Sequence, residues 1–262
     1  MGHQRLGKLP AHHLLPEIIK FLVSGGTPTD DLVDQVTDFG KDALQEALKD
    51  PVFIRALWML VRIPQAMADD NATAALQSIG LDGGKYASVA DVLVDFNNNL
   101  ERAQRTPNAE TGDLGELARQ AALSAFGNRI ADNLPSLWEA SPDDIRSTVA
   151  SLHSTEQFGA LAQEFMANFV DRTIHYFVDR DLHRMVGPDR VSRSLNDVEN
   201  FNTAITRHCN ESSLIMRGFA KDWLGKNHFH ENKEITEKSI RGFTSHTVTK
   251  MKVELDARKG TA

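Results

Sequence analysis

A series of acidic and histidine residues recurs at every fourth position of one predicted helix, and it comprises Asp171, His175, Asp179 and His183. Residues four apart lie near one helix face, where a carboxylate and an imidazole can share a divalent metal ion or relay a proton. Each step of four turns by about 40°, so the ends of the series diverge by about 120° and one metal ion reaches only two adjacent members. The series supports a helical metal-dependent hydrolase as one hypothesis. An ordinary exposed face with ion pairs is the simpler interpretation.

A second cluster of metal-type side chains, His228, His230 and Glu231, follows a predicted helix end at Gly225. Alternating histidines with a nearby carboxylate can bind zinc or nickel from a loop, although three donors without a fourth often arise by chance. These three residues are candidate metal ligands, and a polar loop is the favoured alternative.

The single cysteine, Cys209, follows His208 and could suggest an activated thiol. Sequence neighbours on a helix point about 100° apart, however, so the two side chains pair poorly. Cys209 also falls in the apolar stripe of its predicted helix, where a free thiol behaves as a small hydrophobic group. We therefore predict a structural cysteine. One cysteine also excludes an intramolecular disulfide framework and a cysteine-rich zinc module.

The sequence lacks the motifs that mark phosphate-binding loops, dinucleotide sites, serine hydrolases and zinc proteases. We therefore expect no cofactor and favour a non-enzymatic role.

Charge is distributed unevenly along the chain. The formal net charge is -7, with 29 Lys+Arg against 36 Asp+Glu. Residues 221–262 alone carry a net charge of +3, which leaves −10 on residues 1–220. The acidic balance argues against general nucleic-acid binding, which needs a basic face. The basic segment 221–259 contains the aromatic residues Trp223, Phe229 and Phe243, so binding of nucleic acid or an anionic surface through this segment is an alternative function.

Helix signals recur along the chain, whereas the alternating patterns of strands are nearly absent. Four predicted helix starts combine a capping hydroxyl with a carboxylate three residues later, at Thr27, Ser88, Ser141 and Ser194. The most apolar window, Val52–Ile63, would be about 18 Å long as a helix and too short to cross a bilayer, so it predicts a buried helix. We expect Pro64 to end that helix.

Longer helices are predicted over 113–133, 155–185, 196–224 and 235–258, with Gly225 in a left-handed conformation ending the third. The predicted fold is all-α, a bundle of about eight to ten helices with two long helices in the C-terminal half and a terminal amphipathic helix. We divide the chain into an N-terminal arm (1–13), an N-terminal helical part (14–105) and a C-terminal long-helix bundle (112–262). The two helical parts also fit one continuous domain. We expect a soluble, cytoplasmic protein.

The favoured function is that of a helical protein-interaction subunit, which acts as an oligomer or within a multiprotein assembly. Continuous amphipathic helices, a basic N-terminal arm and a basic last helix on an acidic body motivate this prediction. The predicted partner contacts are Leu6, Leu9 and His13 in the arm, and Phe243, Lys250, Met251 and Leu255 in the last helix.

Overall fold

The structure is a computed structural model that describes residues 43–84, 86–105, 112–135, 140–182, 195–231 and 233–258. Within these ranges the chain forms α-helices and one π-helical turn, and no strand, so the predicted all-α bundle is confirmed. Residues 43–47 are helical. The helices that follow are α1 (Pro51–Ala68), α2 (Ala72–Ser78), α3 (Val89–Gln104), α4 (Asp113–Asn133), α5 (Pro142–Ser151), α6 (Thr155–Leu182), α7 (Leu195–Leu224) and α8 (Glu237–Arg258), with the π-helical turn at Gly225–His230 between α7 and α8.

Helix α1 forms the centre of the core. It packs against α2, α3, α4, α5, α6 and α8, and most of its side chains are buried. The prediction of a buried helix at Val52–Ile63 is therefore confirmed. The predicted end at Pro64 is wrong, because the helix continues to Ala68 with Pro64 inside it. Ala66 and Met67 are both buried, and this packing holds the last turn in place despite the hydrogen bond that proline removes.

Helices α6 and α7 form a long antiparallel pair, as contacts between Asp171 and Thr206 at one level and between Glu156 and Lys221 at another show. Their backbones approach closely at Gly159, where an added β-carbon would lie 2.6 Å from the carbonyl oxygen of Arg217. Phe158 packs near the ring of Trp223, with ring centroids 6.3 Å apart. The pair brings the start of α6 next to the end of α7.

Two of the predicted helix caps are confirmed as reciprocal capping boxes. The Ser88 hydroxyl accepts from the backbone N–H of Asp91, whose carboxylate in turn accepts from the backbone N–H of Ser88. Ser141 and Asp144 make the same exchange at the start of α5. The predicted caps at Thr27 and Ser194 lie outside the described residues.

Asp50 caps two helices at once. Its carboxylate accepts from the backbone N–H of Val52 at 2.8 Å, at the start of α1, and from that of Gly112 at 3.0 Å, at the start of α4. The side chain is only 5% exposed. Burial raises the pKa of Asp50, against the opposing effect of the backbone N–H donors. The start of α4 is thus closed by a carboxylate from another part of the chain.

Gly225 does not end α7 in a left-handed conformation, so that prediction is wrong. The chain continues into the π-helical turn, in which the backbone N–H of Glu231 donates to the carbonyl of Lys226 at 3.0 Å. The Asn227 side chain donates to the carbonyl of Trp223 at 2.9 Å, which satisfies one of the last helical acceptors without a left-handed residue. Among the described glycines, positive φ occurs at Gly80 and Gly83.

Polar contacts fasten the start of α8 to α1. The Trp58 indole donates to the carbonyl of Ile235 at 2.8 Å, and Arg55 pairs with Glu237 at 2.6 Å. None of the described helices is both long and apolar enough to cross a membrane. The predicted arm, residues 1–13, lies outside the described residues.

Candidate binding groove

An open groove of about 690 Å³ lies between the start of α6 and the π-helical turn. We call it the π-turn groove. It draws its lining from two parts of the chain that are distant in sequence, the α5–α6 junction and the end of α7. Its lining residues are His153, Ser154, Thr155, Lys221, Asp222, Gly225, Lys226, Phe229 and His230.

The π-helical turn positions one wall of the groove. A β-carbon added at Gly225 would lie 3.7 Å from the methyl carbon of Thr155, so the turn begins directly against the start of α6. Single π-helical turns are rare and often occur at functional sites. Here the turn carries Lys226, Phe229 and His230 around the rim of the groove.

The aromatic wall of the groove is exposed to solvent. The Phe229 side chain is 51% exposed, unlike the phenylalanines of the core. Its ring lies 6.5 Å from that of His153 and 4.8 Å from that of His228, measured between centroids. His153 Nδ1 lies 2.6 Å from the carbonyl oxygen of Ala150. Because a carbonyl oxygen only accepts, Nδ1 carries the proton of the neutral ring and leaves Nε2 for another partner.

The cations of the groove differ in their pairing. Lys221 forms an ion pair with Glu156, and this contact raises the pKa of Lys221. Outside the lining, Lys233 pairs with Glu231 at 2.5 Å, and this pair, with a smaller effect of the Lys226 charge, lowers the pKa of that carboxyl. Lys226 forms no ion pair with any described residue. Among the described residues of the lining, Lys226 is thus a lysine without an ion pair, beside the exposed Phe229 ring, and the exposed Asp222 carboxylate also lies in the lining.

The first turn of α6 forms the floor of the groove. Ser154 caps this turn, because its hydroxyl accepts from the backbone N–H of Gln157 at 3.3 Å. The start of α6 brings the positive end of the helix dipole to the groove, and this partial charge adds to that of the lysines.

Two of the predicted catalytic residues lie together, at the interface between α6 and α7. The Asp171 carboxylate lies 3.6 Å from Nε2 of His175 and accepts from the Thr206 hydroxyl at 2.7 Å. Burial raises the pKa of Asp171, but the contacts with His175 and Thr206 outweigh it and hold that pKa below its usual value. The side chain of Asp179 and the whole of His183 lie outside the described residues.

The predicted metal ligands do not form a cluster in the structure. Among the described residues, no group of three or more histidine, cysteine or acidic side chains is arranged to hold a metal ion. Glu231 is engaged by Lys233, while His228 packs edge-on against Phe229. Of the three, only His230 lines the groove.

Cys209 is buried in the stripe between α6 and α7, with 3% of its surface exposed. Burial, with a smaller effect from the Asp171 charge, raises the pKa of its thiol. A protonated, inaccessible thiol is unsuited to nucleophilic chemistry, which agrees with the structural role that we predicted.

The predicted partner contacts occupy different environments. Phe243 is only 5% exposed and packs on Trp223, with ring centroids 4.7 Å apart, so it belongs to the core. Lys250 is exposed on α8. The side chains of Met251 and Leu255, and all of Leu6, Leu9 and His13, lie outside the described residues.

Sequence reasoning considers Phe229 and His230 but misses His153 and Ser154 as parts of a site. Ser154 followed by Gln157 is itself a helix-start signature and predicts the start of α6. Nothing local indicates that this start meets a turn about 75 residues further along the chain. Comparison with known proteins adds no further information: no family model matches the chain, and neither does any curated protein or solved structure.

Proposed function

We propose that this chain is a helical interaction protein whose π-turn groove binds an acidic segment of a partner protein. The observation that supports the proposal is the exposed Phe229 ring beside Lys226, which forms no ion pair with any described residue, in one open groove. Aromatic residues, phenylalanine among them, are enriched at protein–protein interfaces relative to the rest of the surface. In the proposed complex, an apolar side chain of the segment packs on Phe229 and a carboxylate approaches Lys226.

The shape of the groove favours a polypeptide over a small molecule. Small-molecule sites bury most of the ligand surface, commonly about 70–90%. The π-turn groove is open, and Lys226, Phe229 and His230 are all exposed. A partner segment lying along such a groove is covered on its far side by the rest of the partner.

The charge distribution supports an acidic partner. The segment that supplies the π-helical turn belongs to the +3 end of the chain, whereas the remainder carries −10. An acidic partner is attracted to the first region and repelled by the second, and this arrangement orients the complex and raises the association rate.

The proposal is tested by fluorescence polarisation with the full chain and two labelled 12-residue peptides. One peptide contains six glutamates with two leucines among alanines, and the other has lysine in place of each glutamate. We expect saturable binding of the glutamate peptide only, weakened by salt because the contacts are electrostatic. Lys226→Ala should reduce the affinity about tenfold, which corresponds to about 1.4 kcal/mol.

Lys250→Ala is the matched control, because Lys250 is an exposed lysine of α8 outside the groove. Equal loss of affinity in both variants would place binding on α8 and reject the groove. Equal binding of the two peptides would reject the acidic partner. Preference for a 12-nucleotide single strand over the glutamate peptide would favour the nucleic-acid alternative instead.

A further inference from the structure

A second cavity, of about 270 Å³, lies where the end of α1 meets α2, the loop before α3 and the start of α5. It shares no lining residue with the π-turn groove. Its apolar walls include Met67, Leu76, Tyr86 and Ile145. The volume is close to the lower limit of small-molecule pockets, about 300 Å³. A cavity of this size suits a molecule with one or two rings.

The walls of this cavity are fixed before any ligand binds. Arg146 of α5 donates to the carbonyl oxygens of Met67 and Asp69, at 3.3 and 3.0 Å, which fastens α5 to the end of α1. The Tyr86 hydroxyl donates to the buried Asp95 carboxylate at 2.7 Å. The same carboxylate oxygen accepts from the backbone N–H of Asp82 at 2.9 Å, so the loop is held at both ends of its glycine pair.

Gly83 and Gly84 form one wall of the cavity, where Gly83 is buried and Gly84 is exposed. Gly83 is buried with φ +70°, and an added β-carbon would lie 2.6 Å from the carbonyl oxygen of Thr73, so only glycine fits there. Within the described part of the chain, neither glycine donates its backbone N–H to a protein acceptor. A donor in a buried residue needs a partner. A ligand carbonyl group in the cavity would satisfy it.

The charged groups of the lining balance one another. Asp143 and Arg146 both belong to the first turns of α5 and are the charged residues of the cavity. An anion would be attracted by Arg146 but repelled by Asp143, and the reverse holds for a cation, so the lining favours neither sign of charge. The apolar walls therefore favour an uncharged ligand.

We propose that this cavity binds a small uncharged aromatic molecule that carries an amide-type group. The ring lies among the apolar walls, and the carbonyl oxygen accepts from the backbone N–H of the buried Gly83. This site is independent of the π-turn groove, so either proposal can fail without the other.

The test is ligand-observed saturation-transfer NMR on the full chain with three probes of similar shape: benzamide, benzoate and benzylammonium. We expect saturation transfer to benzamide, with a dissociation constant on the order of 1 mM for such a small ligand. The charged probes should give less than about one third of that signal.

Gly84→Phe is the blocking variant. Gly84 is an exposed residue at the cavity with no positive φ, and an added β-carbon meets no atom within 4 Å, so phenylalanine is tolerated there and we expect its ring to cover the cavity mouth. It should reduce the benzamide signal at least tenfold. Gly218→Phe is the control, because Gly218 is an exposed glycine of α7 with equally open space. No signal from benzamide, a stronger signal from a charged probe, or an undiminished signal in Gly84→Phe would overturn the proposal.

Discussion

The starts of α4 and α6 present the same backbone chemistry in opposite settings. Each leaves N–H groups without helical acceptors. At α4, the buried Asp50 carboxylate accepts from Gly112, and no space remains. At α6, Ser154 caps the first turn and the surroundings open into the π-turn groove. A helix start is therefore part of the packed interior where a side chain from elsewhere in the chain covers it. It is a candidate binding surface where it faces open space.

Removal of the Asp50 carboxylate at the start of α4 should give the largest loss of stability. Asp50→Ala leaves two helix starts without their acceptor, at the buried N–H of Val52 in α1 and at the partly buried N–H of Gly112 before α4. Loss of a cap costs about 1 kcal/mol and a buried unsatisfied donor about 1–3 kcal/mol, so we expect a loss of about 3 kcal/mol in the free energy of unfolding. Urea denaturation followed by circular dichroism measures it.

Asp70→Ala provides the control for Asp50→Ala. Asp70 is exposed and makes no side-chain hydrogen bond to the described residues. Its replacement should change the free energy of unfolding by less than about 0.5 kcal/mol. Similar losses in the two variants would show that Asp50 is not a double cap.

A methyl group added at Gly115, in the first turn of α4, should give the next largest loss of stability. In Gly115→Ala the added β-carbon would lie 2.6 Å from the Asp50 carboxylate, which its hydrogen bonds hold in place. Overpacking of this kind costs about 1–3 kcal/mol. Gly242→Ala on the exposed side of α8 should instead stabilise by up to about 1 kcal/mol, because alanine favours helix and its β-carbon meets no atom within 4 Å. Thermal denaturation of the two variants tests whether the signs are opposite.

Truncation of Phe229, near the start of α6, should weaken peptide binding and leave the free energy of unfolding almost unchanged. Phe229 is half exposed, so Phe229→Ala should change the free energy of unfolding by less than about 0.5 kcal/mol. The same variant should lower the affinity for the glutamate peptide about tenfold, or about 1.4 kcal/mol, because the apolar side chain on which the peptide packs is lost. If stability falls and affinity does not, the Phe229 ring is part of the fold and the two helix starts are alike.

Local signals predicted most of the helices, and tertiary contacts account for the errors. Ser88 and Ser141 were predictable as caps because their partners lie three residues away. Pro64 is a local helix breaker, yet buried neighbours on both sides keep its helix intact. The second role of Asp50 depends on Gly112, 62 residues along the chain, which no local pattern indicates.

The candidate groove was predictable only in pieces. The basic, aromatic character of Lys226, Phe229 and His230 is visible in the sequence. The approach of the Phe229 ring to that of His153 depends on the antiparallel packing of α6 and α7, which periodicity does not specify. The same limit applies to Phe243, whose helical stripe was predicted but whose burial against Trp223 depends on how α8 packs.

The smallest expected effect is a gain in affinity for the glutamate peptide, whereas the other groove variants should lose affinity. Glu156 occupies Lys221 in an exposed ion pair, so Glu156→Gln should change stability by less than about 0.5 kcal/mol. It also releases a second ammonium group into the groove and should tighten the glutamate peptide about twofold to threefold at low salt. In 0.5 M salt this gain in affinity should disappear, because dissolved ions then screen charges that are more than a few ångströms apart. Glu101→Gln, which removes the exposed pair with Arg105 on α3, should leave affinity unchanged. Weaker binding in Glu156→Gln would mean that Glu156 itself contacts the partner, and that the open start of α6 attracts a basic segment.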